Sequence, residues 1–211
     1  MLDATARRVL ERPLDAVAGG LTRVGWMTPD RMTVVGLVVG LASAAAAAQR
    51  WWTVALALWL ASRLADGLDG PLARRLAASR APSGDGARPP SQAGGFLDIS
   101  ADFVVYGTTV VGVAVGAGGS PWPFVAVLLA YYVNGSVFLA FSSVAERTGR
   151  TIDDGRSLSF LGGLAEGTET VAVHALWCLV PAAAGRVATV WAVVVGISAA
   201  HRIWAGYRAL R

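Results

Sequence analysis

Residues 65–75 read ADGLDGPLARR, that is Ala65-Asp66-Gly67-Leu68-Asp69-Gly70-Pro71-Leu72-Ala73-Arg74-Arg75. They close a stretch that starts at Trp51 and is otherwise apolar apart from Arg63. Its length suits a membrane span, which needs roughly 20 apolar residues. A charged side chain near the bilayer centre costs at least about 2.5 kcal/mol and marks function by default. Whether these aspartates lie in lipid therefore decides both the fold and what the residues are for.

The composition places them there. The chain has 211 residues, of which 55% are hydrophobic and 15% charged, where soluble domains carry about 25% charged residues. Its mean hydropathy is +0.53. These values predict an all-α integral membrane protein. The excess of four positive charges is read as membrane topology, with some attraction to anionic lipid, rather than as a nucleic-acid surface. Every basic residue is arginine. A lone cysteine, Cys178, sits in an apolar run; it excludes an intrachain disulfide framework and reads as a small core side chain.

Six spans are expected, at about 30–49, 51–77, 94–117, 121–145, 158–180 and 186–206, forming one domain over residues 28–211. Before them, residues 1–27 place Leu2, Ala6, Val9, Leu10, Leu14, Val17, Leu21 and Val24 at helical spacing, with Asp3, Arg7, Arg8, Glu11 and Arg12 opposite. This predicts an amphipathic helix lying in the membrane interface, not a signal peptide. Arginines cluster before the first span, in the second and fourth connections and in the tail, whereas the other side has only Arg50 and Arg186. The positive-inside rule then puts both termini in the cytosol. Trp51, Trp52 and Trp122 fall at the outer interface, where indoles are favoured. A multi-pass protein of a bacterial cytoplasmic membrane is expected, with its polar layer facing the cytosol.

Helical rise brings the polar residues to one depth. At 1.5 Å per residue, Asp66 lies about 22 Å from Trp51, toward the cytosolic side of a core about 30 Å thick. Asp66, Asp69, Gly70 and Ala73 share one helix face, as do Gly94, Asp98 and Asp102 on the next span. Asp102 lies roughly 12 Å into its span, and Asn134 of the fourth span about 20 Å from Pro121. Four carboxylates gathered in lipid need cations to stay ionised. Oxygen ligands without His or Cys favour magnesium, manganese or calcium, and two such ions flanking a phosphate make a phosphoryl-transfer site. The same aspartates also suit an ion or proton pathway in a transporter. Physical chemistry alone leaves both open.

Asp66-x2-Asp69-Gly70-x2-Ala73-Arg74, then Gly94-x3-Asp98-x3-Asp102, resembles the signature of the CDP-alcohol phosphatidyltransferases at all its defining positions. The one departure is length: residues 75–93, nineteen in all, separate the two halves, more than the family uses. The extra residues fall in the Gly/Pro/Ser-rich segment SRAPSGDGARPPSQAGG, where insertion is cheap. The run TPDRMT, Thr28–Thr33, is similar to the family's P-N-x-x-T, with Asp30 where the family has asparagine.

The resemblance implies a six-helix membrane enzyme, usually a homodimer, that uses two Mg2+ or Mn2+ ions. It implies that Asp66, Asp69, Asp98 and Asp102 hold the metals and that Asp102 also serves as general base. Thr33, Asp30, Gly70, Ala73, Arg74 and Gly94 are assigned to the CDP substrate. The implied reaction moves a phosphatidyl group from CDP-diacylglycerol to a small polar alcohol, releasing CMP. Transfer from a soluble CDP-alcohol to diacylglycerol is the alternative within the family, and divalent-cation transport the alternative outside it. Glu166, Asn134, Arg147, Arg150 and Arg156 are candidates for the acceptor site, the arginines for an acceptor phosphate such as that of glycerol 3-phosphate or inositol phosphate. Arg63 is expected to be an internal ion-pair partner or, as the alternative, an extra phosphate ligand, and Arg75 to reach lipid head groups.

Overall fold

A computed structural model describes residues 2–80, 91–149 and 165–211. All regular structure among them is helical: α1 (Leu2–Leu21), α2 (Pro29–Ala48), α3 (Trp52–Arg80), α4 (Gln92–Ala117), α5 (Trp122–Thr148), α6 (Gly167–Leu179) and α7 (Ala184–Leu210), with a 3-10 turn at Pro181–Ala183 before α7. Among the described residues, four stretches are long and apolar enough to cross a membrane: α2, α4, α5 and Pro181–Leu210. Large apolar side chains such as Val38, Leu129, Val193 and Ile197 point outward from them, as a lipid solvent permits. The 29-residue α3 has the length of a span, but charges crowd its second half. Of the fifth expected span, only the part from residue 165 lies within the described residues.

The helix ends follow local chemistry. Thr28 caps α2 by accepting a hydrogen bond from the Arg31 N–H at 3.3 Å, and Pro29 fills the first helical position, where its missing N–H costs nothing. Ser91 caps α4 in the same way through Gly94. Gly118 ends α4 at φ +69° and Gly149 ends α5 at φ +65°, a conformation glycine adopts without strain. α3 continues through Pro71, which leaves the Gly67 carbonyl without its usual N–H donor.

Close backbone approach sets the register of α2 between α3 and α4. A Cβ on Gly40 would meet Val105 at 2.6 Å and the Ser62 hydroxyl at 2.9 Å; one on Gly112 or Gly116 would meet the Ala44 or Ala47 carbonyl oxygen at 2.2 and 2.0 Å. Gly36/Gly40 and Gly112/Gly116 each repeat at i, i+4, the small-residue pattern that lets membrane helices touch. Two serines fasten the contact: Ser62 donates to the Gly36 carbonyl at 2.7 Å and Ser43 to the Ala55 carbonyl at 2.7 Å. The start of α2 is thereby held against the end of α3 and the start of α4.

At the other end of the bundle, Phe124, Trp177, Trp191 and Val195 of α5, α6 and α7 pack against Val110 and Val113 of α4. A smaller cluster of Met32, Ala65 and Leu68 takes Leu14, Leu21 and Met27 onto the charged end of α3. The second half of α1 therefore docks on the bundle. Arg75 does not lie free toward head groups: its Nε donates to Asp15 Oδ1 at 2.7 Å and its Nη2 to Oδ2. The bidentate fit of guanidinium to carboxylate ties α1 to α3.

Candidate active site

Asp66 and Asp69 lie one turn apart on α3, and the start of α4 brings Asp98 to them. One carboxylate oxygen from each can be chosen so that all lie within 4.8 Å of one another. Each residue is partly buried. Three carboxylates at this separation repel strongly in a medium of low dielectric. A hard divalent cation answers that repulsion with the right ligand type, oxygen alone. The donor set therefore fits magnesium or manganese.

Thr33 reaches this group from α2. Its hydroxyl donates to Asp69 Oδ2 at 2.8 Å and also lies 3.2 Å from the Pro29 carbonyl. With only one proton to give, the shorter bond to the ionised acceptor dominates. Asp30, three residues earlier, lies against α4: a Cβ on Gly94 would sit 3.3 Å from Asp30 Oδ1. Any larger residue at 94 would crowd that carboxylate. On α3, the Arg74 guanidinium folds back toward Gly70, 3.5 Å from where a Cβ would stand. Ala73 is partly buried and Arg74 exposed, so small residues and one cation border the carboxylates on the side away from the core.

Asp102 stands apart from the other three aspartates in its partner. Arg63 Nη1 donates to its Oδ1 at 2.6 Å and lies 3.7 Å from Asp66 Oδ2. The internal ion pair expected for Arg63 is present, and it joins α3 to α4.

The acceptor candidates separate. Gly135 packs so closely on Phe103 that a Cβ would meet the ring at 2.4 Å. α5 thus crosses α4 beside Asp102, and Asn134 comes to that level. Asn134 Oδ1 accepts from Arg202 Nη1 at 3.0 Å, and Arg202 is 4% exposed. Arg202 is one of the tail arginines that the sequence reads as a topology signal. Its position two residues before Trp204 gives no hint of burial, because the polar partner lies on another helix. Glu166 occupies the N-cap position of α6 without a side-chain cap bond, its carbonyl accepting from the Thr170 N–H at 3.0 Å, next to Ala165, whose N–H donates to Ser198 Oγ on α7 at 3.4 Å. Glu169, in the first turn of α6, buries Oε2 with no partner among the described residues. Arg147 is exposed in the last turn of α5. Arg150 and Arg156 lie outside the described residues.

Comparison with known proteins agrees with this arrangement. Residues 26–198 match the family model of CDP-alcohol phosphatidyltransferase. The chain belongs to the CDP-alcohol phosphatidyltransferase family. It is 37% identical over 196 residues to the inner membrane protein YnjF of Escherichia coli, covering 88% of this chain and 85% of that one. Its fold is similar to that of phosphatidylinositol phosphate synthase from Mycobacterium tuberculosis. The CDP-DAG-bound form superposes with a TM-score of 0.70 at 21% identity, covering 93% of this chain and 94% of that one. The form with manganese and citrate also gives 0.70, at 22% identity over 92% and 88%. In this family member, α2, α3 and α4 carry the signature carboxylates and the threonine that bonds one of them.

Proposed function

We propose that the protein transfers a phosphatidyl group from CDP-diacylglycerol to a small polar alcohol and releases CMP, with its site facing the cytosol of a six-span bundle. The observation that carries this reading is the carboxylate triad Asp66, Asp69 and Asp98 beside Asp102, in a family member whose relative in Mycobacterium tuberculosis binds CDP-DAG.

In this reading Asp66, Asp69 and Asp98 hold divalent cation, Mg2+ or Mn2+, with two ions engaged when substrate is bound. When bound, the metal neutralises the pyrophosphate and stabilises charge on departing CMP. Gly94 and Gly70 let the cytidine diphosphate approach the helices, Asp30 and Thr33 border it from α2, and Arg74 offers a guanidinium to a phosphate oxygen. Asp102 takes the proton of the acceptor hydroxyl as that oxygen attacks the β-phosphorus, and the bond from phosphorus to the CMP oxygen breaks. Carboxylates are weak bases, so the acceptor hydroxyl must be held within hydrogen-bond reach of Asp102 for transfer to proceed. Asn134, joined to Arg202 by a hydrogen bond, and Glu166 and Glu169 at the start of α6 are assigned to a hydroxyl-rich or phosphorylated acceptor. Arg147, Arg150 and Arg156 are assigned to the cytosolic entrance.

The test is CMP release by the purified protein with CDP-diacylglycerol and Mg2+ or Mn2+, offering glycerol 3-phosphate, inositol phosphate, inositol, serine or no acceptor. Acceptor-dependent CMP that disappears in Asp102→Asn is the expected result. Absence of CMP with every acceptor, from folded and metal-loaded protein, would refute the reading.

A further inference from the structure

Arg63 is fixed more firmly than an arginine that merely balances charge. Its side chain is 8% exposed. The guanidinium carbon lies 5.2 Å from the Trp59 ring centre and 5.0 Å from that of Tyr106, so two aromatic faces hold it by cation–π attraction. Nη2 donates to the Ser62 hydroxyl at 3.0 Å, and that hydroxyl spends its own proton on the Gly36 carbonyl. Trp59 is itself anchored: its Nε1 donates to the Val171 carbonyl at 3.1 Å and its ring stacks on His174 with centres 4.6 Å apart. The cation thus rests on α2, α3, α4 and α6 together. Its Nη1 is aimed at Asp102 Oδ1 and lies 3.7 Å from Asp66 Oδ2.

Such a fixed charge has a consequence for the cations of the site. A divalent ion gathered by Asp66, Asp69 and Asp98 meets three carboxylates. A second ion drawn to Asp102 meets a carboxylate whose Oδ1 is already taken by a guanidinium that cannot swing away. Like charges in a low-dielectric site oppose each other. We propose that Arg63 is a positioning residue that keeps Asp102 out of the resident cation site and presents its other oxygen to the acceptor. The substrate-free protein then takes one divalent ion tightly, and a second binds tightly only when the substrate pyrophosphate supplies ligands. The proposal rests on the reading of Asp102 as the base, but its test does not depend on turnover.

The experiment is a Mn2+ titration of the full-length detergent-purified protein without any CDP-lipid, counting free ion by its paramagnetic resonance signal. Wild type is expected to show one tight site and a second weaker by about tenfold or more, the range outer-shell partners command in metal sites. Arg63→Met, which keeps the apolar stem between Trp59 and Tyr106, is expected to bring the second site to within about tenfold of the first. Arg63→Lys keeps the charge and is expected to keep the count at one. Should Arg63→Met fail to fold, Asp102→Asn answers the same question: the tight site stays, whereas Asp98→Asn abolishes it. Two sites of similar affinity in wild type, one site in well-folded Arg63→Met, or loss of the tight site in Asp102→Asn would each overturn the proposal. Absence of CMP release with every acceptor would instead defeat the functional reading and leave the ion count standing.

Discussion

Replacing Thr33 by valine removes one hydroxyl and almost nothing else. Valine has the same branched shape, and position 33 is 5% exposed, so water cannot easily restore the lost donor. The bond removed is 2.8 Å long and ends on Asp69 Oδ2. A hydrogen bond to a charged group contributes about 1.5–3 kcal/mol, which converts to a factor of roughly 10–100 in an equilibrium constant. The structure says where that factor appears. Asp69 is one of three carboxylates that converge, and Thr33 is the side chain that orients it. The loss should therefore fall on metal affinity, in line with the 10–100-fold effect typical of groups that orient metal ligands. The assay is CMP release across a range of Mn2+ concentrations at fixed CDP-diacylglycerol. The half-saturating metal concentration should rise by about 10–100-fold, with most of the rate recovered when metal saturates. Thr33→Ser, which keeps the hydroxyl, should restore the metal dependence. An unchanged metal requirement in Thr33→Val would refute the reasoning, and equal damage from Thr33→Ser would move the cause to the lost methyl group.

Two further predictions concern the frame around the site. Gly116→Ala should destabilise the fold by about 1–3 kcal/mol, since its Cβ would fall 2.0 Å from the Ala47 carbonyl oxygen, whereas Gly107→Ala on the same helix meets nothing within 4 Å and should be neutral or slightly stabilising. Thermal melting in one detergent compares the two, and equal melting shifts would undo the account of helix contact. The hydrogen bonds from Arg75 hold the Asp15 carboxyl below the ordinary carboxylate range. A depressed pKa contributes stability that is present above the unfolded value near about 4 and lost as pH falls through the folded value. Hydrogen exchange of α1 should accelerate in that acidic window and in high salt, modestly because the pair is exposed. In Asp15→Asn the acid-dependent part should vanish; its persistence would show that α1 docks by apolar contact alone.

Much of the site could be read along the chain because helical geometry is local. A rise of 1.5 Å and 3.6 residues per turn put Asp66, Asp69, Gly70 and Ala73 on one face and Gly94, Asp98 and Asp102 on another. The signature positions then marked the family to which the chain belongs. Thr33 was legible for the same reason, as part of a short motif at a helix start.

Partnerships between helices were not legible, because they depend on which surfaces meet and at what height. The glycines of α2 and α4 admit a backbone contact that no hydropathy pattern reveals, and that contact aligns Thr33 with Asp69. Arg63 was expected to pair internally, but its choice of Asp102 over full engagement with Asp66 follows from the register in which α2 holds α3 and α4 and from two aromatic rings that flank it. Arg75 found Asp15 on a helix 60 positions away, and Arg202 found Asn134 inside the bundle rather than lipid head groups outside it. A long flexible cation can satisfy its charge in water, at a head group or on a buried partner. The sequence determined which residues carry charge and which of them share a helix face; tertiary packing decided which of them are held together.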